Sequence, residues 1–441
     1  MVRAPREHGE ELGEGFWTRF TVQFNLFAGT VLAVGNDSHI EQLRTMQEGG
    51  ELGCFALTER FAGVSSGMVV ETIATHDPAT RTFVITSPNE GAYKNWISQG
   101  FVADKSVVVA DLHVGGTSHG PHAFLIDFRV ASSGGEKQLV HGVRLADMGR
   151  KTVANDLDNA WIAFDGVRVP ESALLDRYAG IAEGRYVRRG SPGDAAAATT
   201  HAPMRGMHVM EMIGQRLFTG RVAVAQAALA FGRYLFSKTR EYTDSKLCWA
   251  PKGVRPPLSM LPQLSSLYDE ADEAFEYAER YAAACEAQLC AVLRRGGIPP
   301  PPLQEAIAVA KVRSVETVIQ LCFRLKQAVG SHALMVGSGF EHLDGMQIAK
   351  FAEGESFVLM QKLARDRVKS PAADAADASH GLPRSEQEAA LAAELRTSRS
   401  AEWLAKAGKV YLLAELVMDR KMEQLVGAPL PRGIARPFAR L

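Results

Sequence analysis

The sequence predicts an α+β protein with a short N-terminal helical segment, a middle β domain and a C-terminal helical bundle. Three changes of texture along the chain carry that prediction. From Phe16 to Met46 apolar residues recur at helical spacing, and Phe20, Phe24, Leu26 and Phe27 are placed to form one buried stripe. From Gly53 to about Pro170 the chain turns to short β-branched runs separated by turn residues. From Met207 onward long stretches of good helix formers with few breakers take over.

The strands are expected at Val69-Val70, Thr82 to Thr86, Ser106 to Ala110, Ala123 to Ile126 and Trp161 to Phe164. Gly, Arg, Ser and Pro from Gly180 to Asp194, with an Ala-Thr tract behind them, predict an exposed loop over residues 179–206. The first long helix spans Met207 to Tyr242, and a second runs from Leu261 to Arg294, stopped by Gly296-Gly297 and the prolines from Pro299 to Pro302. A third covers Leu303 to Val329 and a fourth begins near Phe357. Helices of this length with short links predict an antiparallel bundle over 207–370. The Ala, Asp and Ser of Ser370 to Gly381 read as a linker to a last helix near Glu386 to Met422, so 371–441 is taken as linker, final helix and tail.

With 441 residues, 46% of them apolar, the chain can bury substantial cores in two or three domains. Lys and Arg number 49 against 50 Asp and Glu, which leaves no field to attract a polyanion, so no nucleic-acid partner is expected. Five cysteines, odd in number and without a CxxC pair, point to a reducing compartment with neither a disulfide frame nor a metal site. No run of eighteen apolar residues occurs and the first residues are charged, so neither a membrane span nor a secretory signal is expected. The final Ala439-Arg440-Leu441 fits a small-basic-leucine variant of the Ser-Lys-Leu peroxisomal address.

The usual signatures of nucleotide and hydrolytic chemistry are missing. The sequence has no GxGxxG after a strand, no GxxxxGK[ST], no HExxH and no GxSxG. Any nucleotide must therefore be held in another way.

Several segments together carry a resemblance. Gly53-Cys54-Phe55-Ala56-Leu57-Thr58-Glu59 is followed by Glu71-Thr72-Ile73-Ala74-Thr75-His76-Asp77-Pro78, then by Lys94-Asn95-Trp96-Ile97-Ser98-Gln99-Gly100. Further on come Asp156-Leu157-Asp158-Asn159-Ala160 and Phe164-Asp165-Gly166-Val167-Arg168-Val169-Pro170. The helical part adds Ala328-Val329-Gly330-Ser331-His332 and Phe351-Ala352-Glu353-Gly354-Glu355-Ser356-Phe357-Val358-Leu359. In this order they resemble the acyl-CoA oxidases over roughly residues 16 to 370.

The resemblance implies the acyl-CoA dehydrogenase-like fold, with a helical N-terminal part, here a truncated segment over 1–52, a middle β-barrel over 53–178 and a helical bundle. It implies FAD as cofactor, a fatty acyl-CoA substrate, O2 as electron acceptor, a homodimer and a peroxisomal location. It assigns Glu353 as the catalytic base, a carboxylate beside Phe351 that would begin the fourth helix, where an apolar channel raises its pKa. Thr58 and Trp96 are assigned to the flavin ring. Ser98 takes the place of a glycine against that ring, and Gln99 the place of a second glycine. Arg240 falls near the arginine that holds the cofactor pyrophosphate from the neighbouring subunit, and the alternative is a solvated helix-end cation. Gly330 stands in a loop that approaches the cofactor's other half, or else serves as a helix C-cap. Two other readings stay open, a dehydrogenase that passes electrons to a protein acceptor and a paralogue that serves as a binding or scaffold subunit.

Overall fold

Helical spacing near the N-terminus does produce helices. In the computed structural model, which describes residues 15–62, 69–131, 135–189, 214, 216–295, 297–369, 383–398 and 402–438, a π-helical stretch Thr21–Ala28 continues as α1 (Gly29–Val34). Asn36 then caps α2 (Asp37–Glu48), its side chain accepting from the His39 N–H. The buried stripe differs from expectation: Phe27 is fully buried but Phe24 is 47% exposed. The wider π turn rotates the four apolar positions off a common face.

The chain divides into two compact units, one within residues 10–219 and the other within residues 220–441. In the first, β1 (Gly53–Ala56), β2 (Ile73–Asp77), β3 (Thr82–Thr86), β5 (Lys105–Val114), β6 (Thr117–Asp127) and β11 (Val167–Pro170) form a six-stranded sheet. β4 (Lys94–Ser98), β10 (Asn159–Phe164) and β9 (Val143–Asp147) form a second sheet. Phe83, Val108, Phe124, Ile97, Ile162 and Phe164, drawn from both sheets, share one core, so the sheets close around it as a barrel does. The other face of β5 and β6 packs Val107, Val109 and Leu125 against Phe27, Val31, Leu43 and Met46 of the helical lead-in. Alternation along β5 thus serves two cores at once.

Val69-Val70 is not part of a strand, since pairing begins at Ile73. The short hairpin β7 (Arg129–Ala131) and β8 (Lys137–Leu139) carries few apolar residues and was not expected. A second hairpin corrects the expected loop over 179–206: β12 (Ala179–Ala182) pairs antiparallel with β13 (Arg185–Arg188). Glu183-Gly184 makes its turn with both residues at positive φ, the two-residue turn chemistry that hairpins favour. The rest of that segment, the linker 370–381 and Ala439-Arg440-Leu441 lie outside the described residues.

The second unit is helical. α3 (Arg216–Ser245), α4 (Pro262–Arg294), α5 (Pro301–Ala328) and α7 (Ser356–Lys369) are the long members, with a short α6 (Met346–Phe351) before α7. Prolines at the first positions of α4 and α5 start those helices where a missing N–H costs nothing. The last expected helix is broken into α8 (Pro383–Arg396), α9 (Glu402–Ala405) and α10 (Ala407–Val426). α5 is the central element, buried on every side from Ile307 to Val318. Among the described residues no helix is long and apolar enough to cross a membrane, and all five cysteines are free thiols.

Candidate active site

Thr58, Trp96 and Ser98 are brought together by strand pairing. The Asn95 N–H donates to the Thr58 carbonyl at 2.8 Å, next to an antiparallel bridge between Glu59 and Lys94. Opposite, β10 pairs Asn159 with Ser98 and Ala160 with Ile97, then slips register before pairing Ile162 with Lys94. That bulge throws Trp96 into the left-handed region at φ 57°, with its indole 57% exposed. A bulky residue rarely tolerates this conformation. Thr58 beside it is also exposed.

A buried ion pair fixes both segments. Lys94 Nζ donates to Glu59 Oε1 at 2.7 Å and to the Val109 carbonyl at 2.7 Å, and both side chains are fully buried. Glu59 also accepts from the N–H groups of Glu71 and Thr72 and from the Thr72 hydroxyl, at 2.7, 3.0 and 2.8 Å. Burial lowers the Lys94 ammonium to about 8, with Glu59 opposing. Such a pair is tolerable only because its hydrogen bonds are met.

The two residues that replace glycines are absorbed by the fold. Ser98 Oγ accepts from Asn159 Nδ2 at 3.1 Å. Gln99 adopts φ 64° and turns its amide inward, where it donates to Gln23 Oε1 and to the Gly53 carbonyl, each at 2.9 Å.

In the helical unit Glu353 is buried, but it does not begin the fourth helix as expected. It stands three residues before Ser356, at φ 56°, followed by Gly354 at φ 101°. The carboxylate that caps α7 is that of Glu355, which accepts from the Val358 N–H at 3.0 Å. The Glu353 carboxyl group packs against the backbone of α3 at Gly220, where an added Cβ would fall 2.1 Å from its carboxyl carbon. Glycine inside a helix costs ~1 kcal/mol relative to alanine, and here it makes the room that Glu353 occupies. The neighbouring Arg221 donates from Nε to the Glu353 carbonyl at 2.8 Å, and from α5 Lys311 Nζ reaches the carbonyls of Lys350 and Gly354 at 2.6 and 2.9 Å.

Arg240 lies on α3 with its guanidinium 4.5 Å from the Tyr268 ring centre and 2.9 Å from Asp272 of α4. Its side chain is 44% exposed, so this pair holds it weakly. Gly330 follows Val329, the residue that caps the C-terminus of α5, at φ 66°, with open space where a Cβ would project. Its backbone conformation is reason enough for glycine there. Gly220, Arg221, Lys311, Lys94 and Glu59 were not singled out from sequence. A glycine among helix formers, and a lysine inside the apolar run from Ile307 to Val312, are the signals that mark the first three as a place of close packing.

No family profile matches the chain. An acyl-coenzyme A oxidase 3 of Arabidopsis thaliana, named peroxisomal, is 29% identical over 356 residues, 78% of this chain and 49% of that protein. A human peroxisomal acyl-coenzyme A oxidase 3 is 37% identical over 167 residues, 37% of this chain and 23% of that protein. Among solved structures, Arabidopsis thaliana acyl-CoA oxidase 1 superposes with a TM-score of 0.76 at 18% identity, over 93% of this chain and 68% of that one. In sequence and in fold the chain is similar to acyl-CoA oxidases. Its fold is that of the acyl-CoA dehydrogenases. A Caenorhabditis elegans acyl-CoA oxidase-2 bound with FAD, ascaroside-CoA and ATP gives a TM-score of 0.75 at 20% identity, over 92% of this chain and 65% of that one. The chain spans about half the length of the curated oxidases that it matches.

Proposed function

We propose that this chain is a member of the acyl-CoA oxidase family and an FAD-dependent oxidase of fatty acyl-CoA thioesters in peroxisomal β-oxidation. The observation that carries the reading is Glu353, a buried carboxylate held at a left-handed turn against Gly220 in the segment where the family pattern puts its base. In this reading Glu353 removes a proton from the carbon next to the thioester, and the product is a trans-2-enoyl-CoA. Thr58, Trp96 and the Ser98 backbone would hold FAD, which would supply the acceptor for the hydride of the adjacent carbon and, with O2 as terminal acceptor, the route to H2O2. The chain's own residues supply orientation and the proton acceptor.

The β unit suits a flat cofactor. Trp96 presents an exposed indole and Thr58 an exposed hydroxyl on neighbouring segments, and the buried Lys94–Glu59 pair keeps both in place. Ser98 would contribute its backbone, since its hydroxyl already engages Asn159. Arg240 and Gly330 are proposed, from the family pattern alone, to meet the cofactor of a partner copy in a homodimer, which the mass in solution tests.

Glu353→Gln keeps the shape of the side chain and removes the proton acceptor. Turnover of acyl-CoA is expected to fall by at least ~10²-fold, the usual worth of a general base. The flavin absorbance of the purified protein should be unchanged. Near-normal turnover in Glu353→Gln, or an unmodified protein that takes up no FAD on reconstitution, would overturn the reading.

A further inference from the structure

Glu353 and Gly354 are consecutive left-handed residues, at φ 56° and 101°. Glycine adopts this region freely, but glutamate does so at a cost of ~1–2 kcal/mol. Something outside the turn must hold it there. The nearest candidates are the backbone carbonyls, because a buried carbonyl without a partner costs free energy comparable to a lost hydrogen bond.

Those carbonyls meet two cations from two different helices. Arg221 Nε on α3 serves the Glu353 carbonyl at 2.8 Å. Lys311 Nζ on α5 serves the Lys350 and Gly354 carbonyls and reaches Ser356 Oγ at 3.2 Å. One ammonium thereby ties the end of α6, the turn and the start of α7 to the central helix. The Arg221 fork also lies against Gly354, where an added Cβ would come within 3.2 Å of its Nη2 atom. The cost of burying these cations is visible in both groups, since desolvation lowers Lys311 to about 7 and Arg221 to about 10. Surface lysines carry no such cost, and a helix buried on all sides could have held an apolar residue at 311 instead.

We propose that Lys311 and Arg221 are positioning residues of the oxidase, a pair of cations that hold the Glu353 turn in its left-handed conformation and so aim the carboxylate. The inference rests on the assignment of Glu353 as the base. Both side chains act through the backbone of the turn, and neither is assigned a proton of the reaction. An error of ~1 Å in placing a reacting group can cost ~10²-fold in rate, so the brace is worth its desolvation if the carboxylate must be aimed.

The test is Lys311→Met, which keeps the volume and removes the donor, studied in the FAD-reconstituted full chain. Backbone hydrogen exchange read by mass spectrometry should speed up at least about tenfold within residues 350–356, with the α3 and α4 peptides unchanged. Steady-state turnover of short-, medium- and long-chain saturated acyl-CoA should show kcat lowered at least ~10-fold and KM changed by less than ~3-fold. That split separates aiming from substrate binding and from general loss of structure. Should Lys311→Met not fold, Arg221→Lys keeps the charge, loses the Nε bond to the Glu353 carbonyl, and is expected to show the same split. Unchanged exchange together with unchanged kcat overturns the proposal. If the unmodified protein reconstitutes but oxidises no acyl-CoA, the oxidase reading fails, while the exchange measurement still decides whether Lys311 holds the turn.

Discussion

Trp96 illustrates how one residue can be held against its own backbone preference. At φ 57° a bulky side chain stores ~1–3 kcal/mol of strain, and with its indole 57% exposed it recovers little of that through burial. The strain persists because the Lys94–Glu59 pair and the β4–β10 bulge over-determine the strand on either side. Trp96→Gly would release it, since glycine takes positive φ without penalty. The variant is expected to melt no lower than the unmodified protein in its FAD-free form, and to gain ~1 kcal/mol. FAD affinity, followed by fluorescence titration, should drop at least ~10-fold, or ~1.4 kcal/mol. A less stable variant that binds FAD as tightly as before would mean that the strain serves packing and not the cofactor. Gly220 and Glu353 follow the same logic in the other unit: a residue with no side chain yields the volume that a carboxyl group occupies.

Among the elements, α5 departs furthest from a surface helix. Buried all round, it still carries Lys311, Arg313 and Glu316, each of which must find its partners inside. Arg313 reaches Asp419 of α10 at 2.5 Å and donates to the Glu415 and Ala435 carbonyls, and Asp419 is also 2.8 Å from Arg436. Burial comes first among the causes that lower the Arg313 guanidinium and raise the Glu415 carboxyl, so these charges have given up solvent for one another. Asp419→Ala is expected to cost ~3–5 kcal/mol in chemical denaturation, because it strands the Arg313 charge. Asp272→Ala, which removes the exposed partner of Arg233 and Arg240, should cost no more than ~1 kcal/mol. Equal losses in the two variants would show that the buried network does not carry α10. The period of the apolar residues was enough to locate α4 and α5 to within two residues, but it could not show that α5 is the central one, because periodicity within one helix does not count its neighbours.

For the molecule as a whole, the proposed activity carries a proposed destination, supported by peroxisomal relatives in a plant and in human. A fluorescent fusion through the N-terminus is expected to colocalise with a peroxisomal marker, and a diffuse cytosolic signal would count against it. Much of the architecture was legible in the sequence, including the order of helix, β domain and bundle and the strands around Phe83, Val108, Phe124 and Ile162. The turn-rich segment after residue 179 misled, because glycine and charged residues mark a tight hairpin as readily as a loop, and only pairing between β12 and β13 distinguishes them. Motif residues such as Thr58, Trp96 and Glu353 could be named in advance, yet their conformations could not. What the sequence alone determined was the kind and order of elements, since periodicity, propensity and short motifs are written within a window of neighbouring residues, while Glu353 is a candidate base through the family resemblance. The tertiary structure decided that Glu353 precedes its helix in a left-handed turn, that Gly220 makes its room, and that Lys311 and Arg221 brace it. Those facts depend on burial and on hydrogen bonds between residues up to 132 positions apart, which no local pattern encodes.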